Sequence, residues 1–391
     1  MQFQNIVLFD AHQWQQMLPL SFMRSVADCR IGILTIKEKY EHYFKQDIGI
    51  LTQNYLQAKY KLEEKSSTTI YINSAIVPNL DYLQQLETIQ KNIVYVNQNQ
   101  EILFFISDDD YTSLEALNHS INSLQKNNYN KNITILNFPW DIFSYNHQAI
   151  HNDIELMQLQ PNADALSTTN NIAGHNNIYV GENVQADFST INATKGKVFI
   201  GNHATIMEGS LIRGSFALCH DATLKMGAKI YEATTIGPHC KVGGEISNSV
   251  IFGYSNKAHD GYLGNSVLAE WCNLGADTNN SNLKNNYSKV KAYSYTSNNY
   301  INTNLQFCGL IMADHSKAAI NTAFNTGTVV GVFANIFDAG LTPKHIPNFA
   351  WGNSAKFELN KAIEVATKVM QRRNIDLSNI EHKIIEYLYN I

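Results

Sequence analysis

The chain has 391 residues, 44% of them hydrophobic and 16% charged, with 29 basic against 34 acidic side chains and a formal charge of −5. That length allows two or three hydrophobic cores, and the acidic balance argues against a nucleic-acid partner. Five scattered cysteines without metal or disulfide spacing, no basic leader at the start and no apolar run near the roughly 18 residues of a membrane span lead to the expectation of a reduced, cytoplasmic protein with no membrane association.

The first 160 residues alternate short apolar runs with helical patterns. Ile6, Val7, Leu8 and Phe9 signal a buried strand, and 31–44 reads as a strand running into a helix. Further strands are expected at 69–72, 93–96, 102–106 and 133–136, with helices at 80–90 and 114–125. This alternation points to an α/β domain over 1–160. Residues 141–160 read as a helix leading out of it, and the polar stretch 161–170 as a linker.

The texture then changes to a strict period. Ile200, Ile206, Ile212, Leu218, Leu224, Ile230, Ile236 and Val242 stand six residues apart, and most are followed four residues later by a small side chain. Ile172, Ile178 and Val184 precede the run. Val250, Asn256, Tyr262, Leu268 and Leu274 resume it out of phase, and Met312, Ala318, Phe324, Val330 and Ile336 return after an interruption at 279–307. A branched apolar residue every sixth position is the pattern of a hexapeptide parallel β-helix, here over 170–340. Breaks at 243–249 and 279–307 are expected to bulge outward, since a stacked rod leaves insertions no other course. Pro343, Pro347 and Gly352 then mark turns, and Leu359, Ile363, Ala366, Met370, Ile380, Ile384 and Leu388 have helical spacing, as expected of a C-terminal helical cap over 341–391.

His259 lies three residues beyond Asn256, which the period assigns to the interior, so its imidazole should point outward near a coil corner. A neutral imidazole, with a reference pKa of about 6.5, suits removal of a proton from an attacking amine or hydroxyl. The stretch Asn256-Lys257-Ala258-His259-Asp260-Gly261-Tyr262-Leu263-Gly264-Asn265, with Asn273-Leu274-Gly275-Ala276-Asp277-Thr278 in the next coil, resembles the acetyltransferase signature of the bifunctional N-acetylglucosamine-1-phosphate uridylyltransferase/glucosamine-1-phosphate acetyltransferase family. That family shows K-A-x-H-x-x-Y-L-G-D and then N-I-G-A-G-T.

The resemblance implies a nucleotidyltransferase-like domain, a left-handed parallel β-helix and a homotrimer with clefts between rods. It also implies acetyl-CoA or another acyl-CoA as co-substrate and His259 as the base. Lys241, Lys257, Tyr262, Asn273 and Asn282 then stand where substrate is held, Lys241 alone remaining of the family's phosphate-gripping basic residues. His315 and Lys317 are weaker candidates for the coenzyme, while Arg372 and Arg373 read first as a helix end favoured by its dipole and second as partners of the coenzyme's phosphates.

The amino-terminal half departs further. Where active nucleotidyltransferases carry a glycine-rich loop whose backbone N–H groups approach phosphate, this chain has Asp10-Ala11-His12-Gln13-Trp14-Gln15-Gln16-Met17, without a glycine. The following Leu18-Pro19-Leu20-Ser21-Phe22-Met23-Arg24 resembles the family's P-L-T-x-x-R segment and makes Arg24, with Arg30, the candidate holder of a sugar phosphate. Asp108, Asp109 and Asp110 form a solvated acidic turn, or a Mg2+ site if this domain is active. The function expected is an acyl-CoA-dependent acyltransferase acting on an amino sugar, sugar phosphate or nucleotide sugar. A sugar-1-phosphate nucleotidyltransferase with the rod as trimerisation element, and a non-catalytic sugar-nucleotide-binding scaffold, are the alternatives.

Overall fold

A computed structural model describes residues 3–60, 62 and 68–391; Met1 and Gln2 of the expected leaderless start lie outside them. Its first part is an α/β layer around a six-stranded sheet in the order Gly49–Leu51, Asn5–Phe9, Thr69–Asn73, Ile102–Ser107, Ile93–Val96, Gln125–Asn128. The first strand pairs in parallel with both neighbours, and Thr69–Asn73 pairs antiparallel with Ile102–Ser107. Helices Ile36–Phe44, Leu80–Leu86 and Leu114–Ile121 match the apolar spacing that predicts them. The expected strand at the start of 31–44 is instead a tight loop, and the helix expected over 114–125 stops at Ile121, with Gln125 opening an edge strand, Gln125–Asn128.

The helix Asp141–Leu156 carries the chain to a parallel β-solenoid, and it does so across a packed joint. Asp153 on this helix accepts from the backbone N–H groups of Ile33 at 2.7 Å and Leu34 at 3.1 Å and pairs with the buried Lys39. Asn146 reaches both ways, accepting from Gly32 N–H at 2.7 Å and donating to the rod carbonyl of Ala233 at 2.8 Å. Gly32 has φ of +74°, and a Cβ there would lie 2.4 Å from an Asp153 oxygen, so this crossing requires glycine.

Three sheets form the rod, with nine, ten and six strands, parallel throughout except for the last pair of the ten-stranded sheet, Ala350–Trp351 and Ala355–Lys356. Their interior ladders are continuous. Ile200, Leu218, Ile236, Ile251, Leu268, Met312 and Val330 stack on the nine-stranded face, and Ile191, Ile212, Ile230, Ile246 and Leu263 on the six-stranded one. Two expectations are corrected here. The break at 243–249 is a tightening rather than a bulge, since interior residues Val242, Ile246 and Ile251 follow at four and five residues. The phase beyond it is accordingly set by Ile251, Lys257 and Leu263, so Val250, Asn256 and Tyr262 face outward; at the start of the rod Ala186, not Val184, is the inward residue.

The 279–307 insertion does go outward. It forms the hairpin Lys291–Ser294/Asn299–Asn302, and it folds back so that Tyr295 meets Phe22 edge to face at 5.2 Å. The outer side of the nine-stranded sheet carries Val250, Val267, Ile311 and Val329, which join the amino-terminal residues Trp14, Phe22 and Met23 in one buried cluster. The carboxy-terminal helices Leu359–Gln371 and Asn379–Tyr389 add Ala362, Ala366, Ile384, Ile385 and Leu388 to it. They close the end of the rod and also brace its flank. Thirteen residues of helix span about 20 Å, roughly four coils at about 4.8 Å each. Arg373 thereby reaches Asn256, four rungs back from Trp351 on the ten-stranded face.

At the centre of this joint Arg24 is 3% exposed, with its guanidinium paired to Asp314 and, at 3.1 Å, to Glu270, both on the rod. It also lies 5.3 Å from the Phe252 ring centroid. Arg24→Ala would leave the Asp314 carboxylate buried without its counter-ion, an arrangement that costs about 3–5 kcal/mol. We expect a marked drop in urea midpoint with loss of the joint, and Asp314→Asn to be milder than Arg24→Ala.

Candidate functional site

The stacking register carries selected residues into columns. On the outer side of the ten-stranded sheet, Lys241, Asn256, Asn273 and Lys317 are partners in consecutive coils. Three residues before each interior position of that sheet the chain turns a corner with positive φ, and these corner residues are Tyr254, Trp271, His315 and Phe333. Their rings stack at 4.3 Å between Tyr254 and Trp271 and at 4.6 Å between His315 and Phe333. Helix Leu359–Gln371 covers the flank and ends over the column. The result is a cavity of about 520 Å³ lined by Lys241, Asn256, Asn273, Lys317, Arg372 and Arg373, with Tyr254 and Trp271 on one wall.

Four cations converge on this cavity and no carboxylate lines it. Arg373 donates to Asn256 Oδ1 at 3.4 Å and Lys317 Nζ to the His315 carbonyl at 2.8 Å. Burial pushes the Lys317 ammonium down to about 8. An ammonium so poorly hydrated is poised to accept an anion, because a negative group restores what burial removes.

His259 follows Ala258, which lines the cavity, and is exposed at the next corner. Its outward direction agrees with expectation although the premise about Asn256 does not hold. Lys257 is 1% exposed and lies within the rod, so it is displaced from the substrate-contacting role expected of it. Its ammonium, lowered to about 8 by burial against the pull of Asp260 and Asp277, donates to the His259 carbonyl at 2.5 Å and fixes the histidine loop from inside. Tyr262 and Asn282 stand together round the corner on the six-stranded face, the Asn282 amide donating to the Tyr262 hydroxyl at 2.9 Å and to Asn265 Oδ1 at 2.8 Å.

Other expected ligand residues are engaged elsewhere. His315 is buried in the ring column, where desolvation holds it well below the usual histidine range and its Nδ1 has no hydrogen-bond partner among the described residues, so it cannot meet a phosphate as a cation. Arg24 is spent on Asp314 and Glu270, and Arg30 is buried, donating to the Ile33 carbonyl and pairing with Glu38 at 3.4 Å. The Arg24 guanidinium is thus closed to a sugar phosphate, whereas Arg30, though paired, lines a cavity of about 280 Å³ with Glu38, Tyr179 and Phe199.

The loop between the first strand and Arg24 is also filled. Gln13 and Trp14 are buried in the helix Gln13–Gln16, and the Trp14 indole donates to the Arg24 carbonyl at 3.2 Å. Asp10 accepts from Ser25 Oγ at 2.9 Å, Ser74 Oγ at 2.5 Å, Thr52 Oγ1 at 2.5 Å and Val26 N–H at 3.1 Å, while burial raises its carboxyl to about 6. Asp108 is tied to Lys91 at 2.7 Å and to Thr68. Among the described residues Asp108, Asp109 and Asp110 do not bring ligand atoms together as a metal site needs.

Residues 6–161 match the family model described as sugar nucleotidyl transferase. The amino-terminal part is similar to that family over those residues. The chain is 27% identical over 154 residues to a bifunctional sugar-1-phosphate nucleotidylyltransferase/acetyltransferase of Sulfurisphaera tokodaii, covering 39% of this chain and 38% of the relative. It is 25% identical over 173 residues to the bifunctional protein GlmU of Synechococcus elongatus, covering 40% and 34%. The matches thus span well under half the length of these curated relatives. Both agree with the resemblance drawn from the 256–278 signature. An Arabidopsis UDP-N-acetylglucosamine acyltransferase aligns over 58% of this chain and 92% of its own at 17% identity, with a TM-score of 0.22, too low to add to the fold already described. In the matched domain the loop over 10–17 is filled by its own side chains.

The cavity yields a pH signature. Above about pH 8 Lys317 loses its proton, and with it a charge-assisted hydrogen bond worth roughly 1.5–3 kcal/mol. Affinity for pyrophosphate, measured by calorimetry, should fall about tenfold between pH 7 and 9. Lys317→Met should bind weakly at both pH values and show a flatter profile.

Proposed function

We propose that the protein is an acyltransferase that uses acyl-CoA, with acetyl-CoA the first candidate, to acylate an amino sugar, sugar phosphate or nucleotide sugar. The observation that carries this reading is the cavity of four convergent cations beside Ala258-His259 on the rod. A coenzyme bearing several phosphates needs such a cluster. His259 then takes the proton from the acceptor's amine or hydroxyl as that atom attacks the thioester carbonyl, and returns it to the departing thiolate. Lys257 acts as a positioning residue through the His259 carbonyl. Tyr262 and Asn282 hold the acceptor from the adjoining face.

We further propose a homotrimer. The nine-stranded face is covered by the amino-terminal domain and the ten-stranded face is flanked by helices, whereas the six-stranded face leaves Leu211 and Tyr231 exposed beside Tyr262. Rods meeting there would turn the exposed His259 corner into a cleft. Light scattering should report three chains per particle; a monodisperse monomer would leave His259 half a site and count heavily against acyl transfer.

His259→Ala should lower thiol release from acetyl-CoA in the presence of amino sugars by roughly 10²- to 10⁴-fold, the usual worth of a general base, with the melting temperature nearly unchanged because the side chain is exposed. Equal loss of fold and activity would contradict the role. Nucleotidyl transfer is the second reading, favoured by the family match over 6–161. The filled loop at Gln13 and Trp14 and the committed Arg24 speak against it. Titration with UTP, dTTP, CTP and GTP in Mg2+ should give no micromolar binding. Micromolar affinity with pyrophosphate release on adding a sugar 1-phosphate would put nucleotidyl transfer first.

A further inference from the structure

Two coils before Tyr254 the same corner column carries side chains of a different kind. Asp221 and His239 occupy one corner in successive coils, with φ of +57° and +59°, and His220 precedes Asp221. Their backbones are tied rung to rung: Asp221 N–H donates to the Asn202 carbonyl at 3.0 Å and His239 N–H to the His220 carbonyl at 3.2 Å. One ligand atom from each of the three side chains lies within 4.8 Å of the others. His220 Nδ1 is 2.9 Å from Asp221 Oδ2, and His239 Nδ1 is 3.9 Å from the same oxygen.

These separations straddle the spacing a small tetrahedral cation imposes. With metal–nitrogen and metal–oxygen bonds of about 2.0–2.1 Å, neighbouring ligand atoms stand about 3.3 Å apart. Small side-chain rotations therefore suffice, and the backbone, fixed by the coil stacking, need not move. Two imidazoles and one carboxylate suit zinc and its borderline neighbours rather than calcium or magnesium. Tyr254 stacks on His239 at 4.7 Å and limits its ring to rotation in place. The outer side of the cluster is open to water, which leaves coordination positions for solvent or a ligand.

We propose that His220, Asp221 and His239 form a binding site for one divalent transition-metal ion of the zinc class, separate from the cationic cavity and independent of the acyl-transfer reading. The carboxylate supplies the only negative charge among the three ligands, and the site cross-links two adjacent coils at the rod's surface.

Equilibrium dialysis of the chelator-stripped full-length protein against Zn2+ tests it. One zinc per chain is expected, and Co2+ in its place should give the intense visible bands of a low-symmetry four-coordinate site. Asp221→Asn and His239→Asn are the chosen variants, because asparagine tolerates the left-handed backbone at both positions; His220→Ala completes the set. Each should weaken zinc binding at least fivefold while circular dichroism stays that of the parent. His175→Ala, on an exposed turn at the start of the rod, serves as the control and should bind as the parent does. Less than half an equivalent of zinc, or a loss below fivefold in any of the three ligand variants, overturns the proposal.

Discussion

The stacking of coil upon coil is the constraint from which the rest of the molecule follows. Each rung passes its backbone hydrogen bonds to the next at about 4.8 Å, so a side chain at a given place in one coil stands over its counterpart in the coil before. A chain built this way writes its chemistry in columns. Along one corner the column is imidazole and carboxylate at Asp221 and His239, then aromatic at Tyr254 and Trp271, then fully buried at His315 and Phe333. Along the adjoining face it is Lys241, Asn256, Asn273 and Lys317. Residues tens of positions apart in sequence become neighbours without a loop having to place them.

The three faces of the rod have been put to different uses. The outward residues of the nine-stranded sheet are Val250, Val267, Ile311 and Val329, which no solenoid needs on its outside and which only the amino-terminal domain explains. Burial of that seam removes Arg24 from solvent, and a guanidinium removed from solvent must be paired. Asp314 and Glu270 supply the pair. The segment that carries Arg24 thereby fastens one domain to the other. Trp14 and Gln13 fill the space that a glycine-rich loop would leave for phosphate, and Asp10 is occupied by three hydroxyls and an N–H.

Much of this was legible in the sequence, for reasons that differ by region. The six-residue period from Ile200 to Val242 admits one architecture, because each position contributes one interior side chain and the interior admits no other register. Beyond Val242 the period misleads by one residue. Val250 and Ile251 are both apolar, and both are buried, one under the amino-terminal domain and one inside the rod; no local rule says which is which. That slip sends Lys257 inward, a place where a lysine is improbable until its ammonium is seen to reach the His259 carbonyl at the corner. Arg24 was misread for a similar reason: its partner stands 290 residues away, and a motif carries no information about such a contact. Arg372 and Arg373 looked like an ordinary helix end, and only the length of helix Leu359–Gln371, matched to four coils, brings them over Asn256.

A rigid rod cannot close on a ligand by bending, so its sites must be completed by something that is not rod. The helix Leu359–Gln371 does this on the ten-stranded face, turning a flat ladder of Lys241, Asn256, Asn273 and Lys317 into a cavity by adding Arg372 and Arg373 from the far end of the chain. Among the described residues the His259 corner has no such cover within one chain, and the six-stranded face leaves Leu211 and Tyr231 exposed. A water-exposed imidazole at the edge of an uncovered face is a poor place for thioester chemistry, which gains from exclusion of solvent. On the proposed acyl-transfer reading, the geometry that leaves His259 exposed in one copy favours a site shared between copies, each rod supplying the rigid columns and its neighbour the wall that no bending of the rod could provide.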